Sequence, residues 1–305
     1  MRYTVVLTAE FPSIATSLLS PHFDVVAHPT EHDRSEDDVI TLLAEADAAI
    51  VLLSDPITRR VLESNPNLRI VSNFAVGYNN IDLDAARELG VTVTNTPGVL
   101  TEATADLTMA LILAIARRIV ESDAELRATG RCEWEPLAFL GASLQGKRLG
   151  IIGMGRIGSA VAHRARAFGM DVIGAGRGDS IDELLATSDI VSLHVPLSRE
   201  THHLIDAAAL AKMKHDAYLI NTSRGPLVDE EALCDALERG TIRGAGLDVY
   251  EHEPRVNPRL LTMKNVVLLP HIGSATEEAR NAMARIAATN VLLFLGGAEP
   301  LHRVV

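Results

Sequence analysis

Residues Leu149 to Gly158 read Leu-Gly-Ile-Ile-Gly-Met-Gly-Arg-Ile-Gly, and this stretch decides the fold. Its apolar beginning, Leu149–Ile152, predicts a buried strand, and the amphipathic run Arg156–Phe168, closed by Gly169, predicts a helix directly after it. The intervening glycines fit the pattern G-x-G-x-x-G, in which the backbone approaches a pyrophosphate at the helix N-terminus. The stretch therefore predicts a dinucleotide-binding turn, formed by Gly153, Gly155, Arg156, Ile157 and Gly158.

On both sides of this turn, short β-branched runs alternate with helical patterns, which is typical of parallel strands joined by helices. Pro97 and Gly98 break the pattern and end a first α/β unit. One long helix is expected from about Glu102 to Val120, and a closing helix, Thr276–Leu295, is expected to cross back to the first unit. The further strands expected are Tyr3–Leu7, Phe23–Val26, Ala48–Leu52, Ile70–Phe74 and Val91–Thr94, then Asp171–Gly174, Ile190–Val195, Tyr218–Asn221, Gly244–Val249 and Val266–Leu269.

These elements predict an α/β protein with two doubly wound parallel-sheet domains, a Rossmann cofactor domain inserted in a flavodoxin-like substrate domain. At 305 residues the chain is long enough for two cores. The substrate-binding domain is expected at residues 1–97 and 276–305, and the dinucleotide-binding domain at residues 98–275.

Composition argues against several classes of partner. The formal net charge of −12 would repel phosphate backbones and anionic lipid, so nucleic acid and membrane are not expected partners. The apolar run Leu107–Val120 is interrupted by Arg117-Arg118 and is shorter than the roughly 20 residues of a membrane span, which predicts a buried helix. Cys132 and Cys234 form no C-x-x-C pair, which disfavours a disulfide framework or zinc site and favours a reducing, cytoplasmic location.

The end of the second strand of the cofactor domain decides which nicotinamide cofactor is expected. An NAD site has Asp or Glu about 20 residues after the glycines, where it binds the ribose 2′-hydroxyl. Here Gly176 stands at that position and Arg177 follows, and a guanidinium can pair with the 2′-phosphate of NADP in a bidentate fork. NADP (NADPH) is therefore preferred. NAD remains the alternative, with Arg177 a solvated loop residue and Asp179 recruited as the acid.

Three later segments carry polar and charged residues directly after predicted strands: Asn221–Gly225, Asp248–Pro254 and Pro270–Thr276. In open parallel sheets, ligands bind beyond the carboxyl ends of the strands. All three segments can therefore converge on the nicotinamide.

With these segments the chain resembles the D-isomer-specific 2-hydroxyacid dehydrogenases, and most closely their glyoxylate/hydroxypyruvate reductases. The resemblance also covers Ala75–Asn80, Thr101–Asp106 and the glycine motif. The family's catalytic arginine, glutamate and histidine map onto Arg224, Glu253 and His271. The resemblance implies NAD(P)H-dependent reduction of a small 2-keto acid, with glyoxylate or hydroxypyruvate the expected substrate.

The chemistry of a 2-keto acid explains why these residue types are needed. Arg224 can hold the carboxylate and polarise the adjacent carbonyl. His271 can protonate the alkoxide that forms, and Glu253 can orient the imidazole and stabilise its charged form. The backbone N–H groups of Val76 and Gly77 resemble the family's second carboxylate anchor, supplied from the other domain, whose closure brings substrate and hydride donor together.

The resemblance assigns further cofactor contacts, while the histidines outside the motifs argue against a metal. The spacing of His202, His203 and His252 suggests no metal site, and these histidines are expected to be solvated. Besides the glycine turn, Gly176 and Arg177, the residues expected to contact the cofactor are Thr104, Val195, Pro196, Thr201, Thr222, Ser223, Arg224, Asp248, His271 and Gly273.

The segment Glu133–Leu137 resembles a loop that, in hydroxypyruvate reductases, reaches into the partner subunit's substrate pocket. Trp134 is accordingly a candidate substrate contact, with an ordinary core or interface tryptophan as the alternative. The resemblance also implies that the long helix and this loop build a two-fold homodimer. One departure from the family is that the stretch Arg177–Ser188 has room for one short helix only, so the edge of the cofactor sheet is expected to be trimmed.

Two rival functions remain open. The first is a related dehydrogenase for another small acid, such as phosphoglycerate, D-lactate, formate or phosphite, which a substrate panel would separate. The second is a nicotinamide-sensing corepressor that works by binding partners. Turnover of a keto acid would eliminate the corepressor.

Overall fold

The computed structural model describes residues 2–31, 33–132 and 134–305. The chain divides into two compact units, one of residues 1–100 with 275–305 (unit 1) and one of residues 101–274 (unit 2). The elements, in chain order, are β1 (Thr4–Leu7), α1 (Ile14–Leu19), β2 (Asp24–Ala27), α2 (Glu36–Leu43), β3 (Ala48–Val51), α3 (Arg59–Ser64), β4 (Ile70–Asn73), α4 (Leu83–Leu89), β5 (Thr92–Thr94), α5 (Thr101–Ala116), α6 (Ile119–Thr129), β6 (Arg148–Ile152), α7 (Arg156–Ala167), β7 (Asp171–Ala175), α8 (Asp182–Thr187), β8 (Ile190–Leu193), α9 (Ala207–Lys212), β9 (Tyr218–Asn221), α10 (Glu230–Glu238), β10 (Gly244–Leu247), β11 (Val266–Leu268) and α11 (Glu277–Leu295).

Unit 1 is built on a parallel five-stranded sheet in the order β2-β1-β3-β4-β5, which is the flavodoxin-like order. The central strands β3 and β4 are fully buried, as expected of strands covered on both faces. The closing helix α11 packs on this sheet, and Ser72 Oγ donates a hydrogen bond to Ala287 O at 3.2 Å. The last residues lie along β5, where Val93 N donates to Val305 O at 2.9 Å.

Unit 2 is built on a parallel six-stranded sheet in the order β11-β10-β9-β8-β6-β7. Between β7 and β8 the chain holds the single helix α8, and all residues of this connection are described. The sheet therefore ends at β7. In a dinucleotide-binding sheet of order 3-2-1-4-5-6, β6 and β7 correspond to the first and second strands, and a third strand would lie beyond β7. The two parallel α/β domains confirm the predicted fold class, and the short stretch after Arg177 accounts for the trimmed edge.

The prediction of a single helix from Glu102 to Val120 is wrong. Two helices, α5 and α6, cover this stretch, because Arg118 adopts a left-handed backbone conformation with φ of 53°. The Nε and Nη2 atoms of Arg118 each lie 2.7 Å from a carboxylate oxygen of Glu121. This bidentate ion pair, or fork, stabilises the break between α5 and α6. Within the described ranges, none of the helices combines the length and apolarity that a membrane crossing requires.

Candidate active site

The glycine turn has the geometry that a pyrophosphate-binding loop requires. Gly153 follows β6 with φ of 103°, and a Cβ there would lie 2.5 Å from the backbone carbonyl of His194. Gly155 is the N-cap of α7, which begins at Arg156, and no side chain caps this end. Gly158 is buried on the inner face of the same helix. The backbone N–H groups of this turn fit a bound dinucleotide, because they can approach a phosphate that any larger side chain would keep away.

At the end of β7, Gly176 and Arg177 lie where sequence reasoning placed the ribose site. Arg177 is exposed. A hydrogen bond from Ser198 and, more weakly, the charge of Arg177 hold the pKa of Glu200 below its ordinary value, so Arg177 lies within electrostatic reach of Glu200. Asp179 turns back, and its carboxylate accepts a hydrogen bond from Gly176 N at 2.8 Å. The strand end therefore presents both a cation and a carboxylate.

His194, at the end of β8, is a partly buried histidine against the glycine turn that the sequence did not single out. Its Nε2 lies 2.9 Å from Ser192 Oγ. Burial lowers the pKa of His194 to about 4, so the imidazole is neutral at physiological pH. A neutral ring adds no charge beside the pyrophosphate position.

Replacing His194 with glutamine is expected to reduce the loss of stability in acid. Between its ordinary pKa of 6.5 and the lowered value of about 4, the unfolded chain binds a proton at His194 that the folded chain does not bind. The stability from this group is fully present above the higher value and is lost as pH falls toward the lower one. Urea titrations at several pH values should show a smaller acid loss for His194→Gln than for wild type. Equal losses would contradict the burial argument, and exposed His215→Gln serves as the control.

The turn after β9 positions Arg224. Asn221 Nδ2 donates to Arg224 O at 2.8 Å, and Ser223 N donates to Asn221 Oδ1 at 3.1 Å. Gly225 is required next, since a Cβ there would lie 1.8 Å from Tyr250 O. This close approach brings the arginine turn against the segment after β10. Burial lowers the pKa of the Arg224 guanidinium and the negative charge of Glu253 opposes that shift, so the two residues lie within electrostatic reach.

Glu253 and His271 form a hydrogen-bonded pair. His271 Nδ1 lies 2.9 Å from Glu253 Oε2, and the other carboxylate oxygen accepts from Tyr250 N at 3.0 Å. With the carboxylate as acceptor, Nδ1 carries a proton and Nε2 is the nitrogen left to face a ligand. His271 adopts a left-handed backbone conformation, with φ of 54°, at the loop after β11. The carboxylate thus fixes the orientation of the imidazole ring.

Asp248 fixes the loop that carries this histidine. Its two carboxylate oxygens accept hydrogen bonds from Ile272 N at 2.7 Å and Gly273 N at 2.8 Å. Burial raises the pKa of Asp248, while these bonds and the neighbouring His271 oppose that shift. Thr104 Oγ1, on α5, donates to Gly273 O at 3.1 Å. Asp248, Thr104 and Gly273, each assigned to the cofactor from the sequence, thus lie together.

Two residues of this network were missed from the sequence. Thr108 Oγ1 lies 2.9 Å from Thr222 Oγ1, and Tyr250 donates from its hydroxyl to Leu269 O at 2.9 Å. The signal for Thr108 is its spacing of four residues from Thr104, which puts both hydroxyls on one face of α5. Tyr250 carried no comparable signal, because its contact with Leu269 O joins residues 19 positions apart that only the folded chain brings together.

The remaining predicted residues fall in three places. Ser223 Oγ donates to Val195 O at 2.6 Å, and Thr201 Oγ1 donates to Pro196 O at 2.8 Å, so these four lie together after β8 and β9. Val76 and Gly77 lie in unit 1 after β4, where amides of Asn95 and Asn73 donate to their carbonyl oxygens, both at 2.8 Å. Trp134 is 95% exposed, and its neighbour Glu133 lies outside the described residues.

Comparison with known proteins identifies the family of this chain. The model of the NAD binding domain of D-isomer specific 2-hydroxyacid dehydrogenases matches residues 109–273. A glyoxylate reductase of Thermococcus litoralis is 45% identical, with 100% of this chain and 97% of the relative covered. A crystal structure of a protein from Thermus thermophilus has a TM-score of 0.94 at 44% identity, covering 99% of this chain and 100% of that one. The NADPH-dependent glyoxylate/hydroxypyruvate reductase of Sinorhizobium meliloti, solved with NADP and malonate, has a TM-score of 0.87 at 32% identity over 100% and 97% of the two chains. This chain therefore belongs to the D-isomer specific 2-hydroxyacid dehydrogenase family of nicotinamide-dependent oxidoreductases.

Proposed function

We propose that this protein reduces glyoxylate and hydroxypyruvate to the corresponding 2-hydroxy acids, with NADPH as the preferred cofactor. The observation that carries the proposal is the 2.9 Å contact between His271 Nδ1 and Glu253 Oε2, with Arg224 in electrostatic reach of the same carboxylate. An oriented imidazole beside a half-buried guanidinium supplies both a proton and an anion-binding group. Reduction of a 2-keto acid needs these two groups together.

The glycine turn at residues 153–158 would hold the nicotinamide cofactor, which when bound would supply the hydride that C2 of the keto acid accepts. Arg224 binds the carboxylate and draws negative charge toward the carbonyl oxygen. His271 Nε2 gives its proton to that oxygen, forming the hydroxyl, and the ring recovers a proton from solvent. Glu253 holds Nδ1 and stabilises the charged imidazole before the transfer. Hydride and proton together complete the two-electron reduction.

The substrate is proposed as glyoxylate or hydroxypyruvate because the relative from Thermococcus litoralis carries the name glyoxylate reductase, at 45% identity over the full chain. Initial rates with glyoxylate, hydroxypyruvate, pyruvate and phosphohydroxypyruvate, each with NADPH and with NADH, test the assignment. The highest kcat/KM is expected for one of the first two acids. A clear preference for pyruvate or phosphohydroxypyruvate would assign the enzyme a different substrate within the family. An absence of turnover with all four acids would favour a binding protein.

The preference for NADPH rests on Gly176, which removes the carboxylate of an NAD site, and on the neighbouring cation Arg177. A solved relative from Sinorhizobium meliloti that is 32% identical holds NADP, which agrees with this choice. Asp179 acts in the opposite direction, because its carboxylate lies beside Gly176 and repels a 2′-phosphate. The opposite effects of Arg177 and Asp179 on the preference for NADPH over NADH can be measured with variants.

Arg177→Ala is expected to lower kcat/KM for NADPH about 10- to 150-fold more than for NADH, because a charge-assisted contact to phosphate contributes about 1.5–3 kcal/mol. The matched variant Asp179→Asn should shift the preference further toward NADPH, since it removes the repulsion but keeps an oxygen for Gly176 N. Wild-type preference for NADH, or equal loss of both cofactors in Arg177→Ala, would refute the NADPH assignment. The dehydrogenase assignment would stand in either case.

A homodimer is proposed from the exposed apolar surface of α6 and the segment after it. All residues of α6 are described and none of them is buried. Sedimentation equilibrium should give about twice the chain mass of 32.8 kDa. The large exposed apolar residues of this surface are Ile119, Val120, Leu126, Trp134, Leu137 and Leu140.

A cytoplasmic location is proposed from the cysteines. Cys132 is exposed, Cys234 is buried, and both are free thiols. Free thiols persist in a reducing compartment.

A further inference from the structure

Three side chains of types that can bind transition metals lie together on unit 2, apart from the residues assigned to reduction. The ligand atoms of His202, His203 and Glu251 all lie within 4.8 Å of one another. His203 Nε2 is 2.6 Å from Glu251 Oε1, and the two imidazole centroids are 4.0 Å apart. Side chains of neighbouring residues in an extended chain point to opposite sides. Here both rings lie on one side, because His203 takes a left-handed conformation with φ of 50°.

The backbone around this cluster is fixed by hydrogen bonds. His203 N donates to Pro226 O at 2.8 Å, in the turn after Arg224. Glu251 Oε2 accepts from Glu230 N at 3.0 Å, and Glu251 N donates to Glu230 Oε2 at 3.1 Å. One carboxylate oxygen of Glu251 is thus held by the backbone while the other faces the histidine. Outer contacts of this kind orient metal ligands and raise affinity.

Solvent can reach the cluster from the side of its two histidines. His202 is exposed and His203 is partly exposed, which leaves a route for an ion from solvent.

We propose that His202, His203 and Glu251 form a Zn²⁺ site, with water as the fourth ligand. Two imidazoles and one carboxylate are the protein ligands of known open zinc sites. Zinc–ligand bonds of about 2.0–2.1 Å in a tetrahedron place ligand atoms roughly 3.3 Å apart. His203 Nε2 and Glu251 Oε1 separate by about 0.7 Å as the metal replaces the proton between them, which a rotation of the imidazole accommodates.

A bound ion would join two segments of unit 2, because His202 and His203 precede α9 and Glu251 lies two residues before Glu253. Binding at this cluster stabilises the folded protein by mass action, because the unfolded chain does not hold the three ligands together. Since none of the ligands takes part in the proposed reduction, the site stands or falls independently of that function.

The experiment uses the full-length protein after dialysis against a chelator. Titration with Co²⁺ should saturate at one equivalent and produce the visible absorption of four-coordinate cobalt, which Zn²⁺ then displaces. Zn²⁺ should also raise the melting temperature by several degrees when it is present well above its Kd. No saturable binding and no shift in melting would overturn the proposal.

His202→Asn and Glu251→Gln test the ligands. Each should weaken Co²⁺ binding by more than about 100-fold, since changes even outside the ligand set cost 10- to 100-fold. Glutamine at position 251 keeps an oxygen for Glu230 N, and His202 is exposed, so both variants should fold. The control His215→Asn removes an exposed histidine elsewhere on unit 2 and should bind as wild type does. Unchanged affinity in His202→Asn, or equal weakening in the control, would show adventitious binding instead.

Discussion

His271→Ala is expected to lower kcat by about 10²–10⁴ for any 2-keto acid that the enzyme reduces, which corresponds to about 2.7–5.5 kcal/mol in the activation free energy. The loss is large because His271 Nε2 is the proposed proton donor and alanine supplies no acid in its place. Cofactor affinity, measured by quenching or enhancement of NADPH fluorescence, should stay near the wild-type value. Near-normal turnover would remove His271 from the mechanism.

Glu253→Gln is the matched variant for this experiment. Glutamine keeps an acceptor for Tyr250 N and a contact for His271 Nδ1, but it cannot stabilise the charged imidazole. If Glu253 acts through the histidine, kcat should fall in this variant while KM for the keto acid and the affinity for NADPH stay near their wild-type values. A purely structural role would raise KM and weaken NADPH binding as well.

Arg224→Ala is expected to raise KM and lower kcat together, because the guanidinium binds the carboxylate in the ground state and polarises the carbonyl in the transition state. Arg224 is half-buried, so the groups around it are poorly solvated and cannot replace the charge. A loss in kcat/KM of at least about 10² is expected, since a charge-assisted bond in a desolvated site contributes about 1.5–3 kcal/mol and two such bonds are lost.

Arg224→Lys separates charge from geometry. Lysine supplies a point charge without the planar fork, so it should recover only part of the activity that alanine loses. Its side chain also cannot reproduce the donation from Nη1 to Ser223 O, at 2.6 Å in the structure. Full activity in the lysine variant would show that bidentate binding is not required.

Much of the fold follows from local sequence. The buried strands of both sheets are largely apolar runs, and Ile70–Asn73 and Tyr218–Asn221 lie within one residue of their predicted positions. The break before α6 could not be predicted in this way, because the apolar pattern resumes at Ile119 and Val120 after Arg117-Arg118, with no glycine or proline. The break instead depends on the fork between Arg118 and Glu121, which is a contact of the folded chain.

In the candidate site, too, residues in motifs after strands could be predicted, whereas contacts that only the folded chain creates could not. Arg224, Glu253 and His271 could be proposed because each lies in a motif directly after a strand, and parallel strands end at one edge. His203 and Glu251 of the proposed metal site are 48 residues apart, and this spacing follows no ligand pattern. Likewise, the return of Asp179 to Gly176 N depends on a tight turn that composition does not reveal.

The insertion of unit 2 between the two parts of unit 1 reverses the usual order of assembly on the ribosome. Domains generally fold as units in the order of their synthesis. Residues 1–100 emerge first, yet the sheet they form is covered by α11, whose Ala284, Ala287 and Val291 are fully buried. The cofactor-binding unit is therefore complete while its neighbour still exposes an apolar sheet face, and the nascent chain must keep that face from aggregating until α11 has been made.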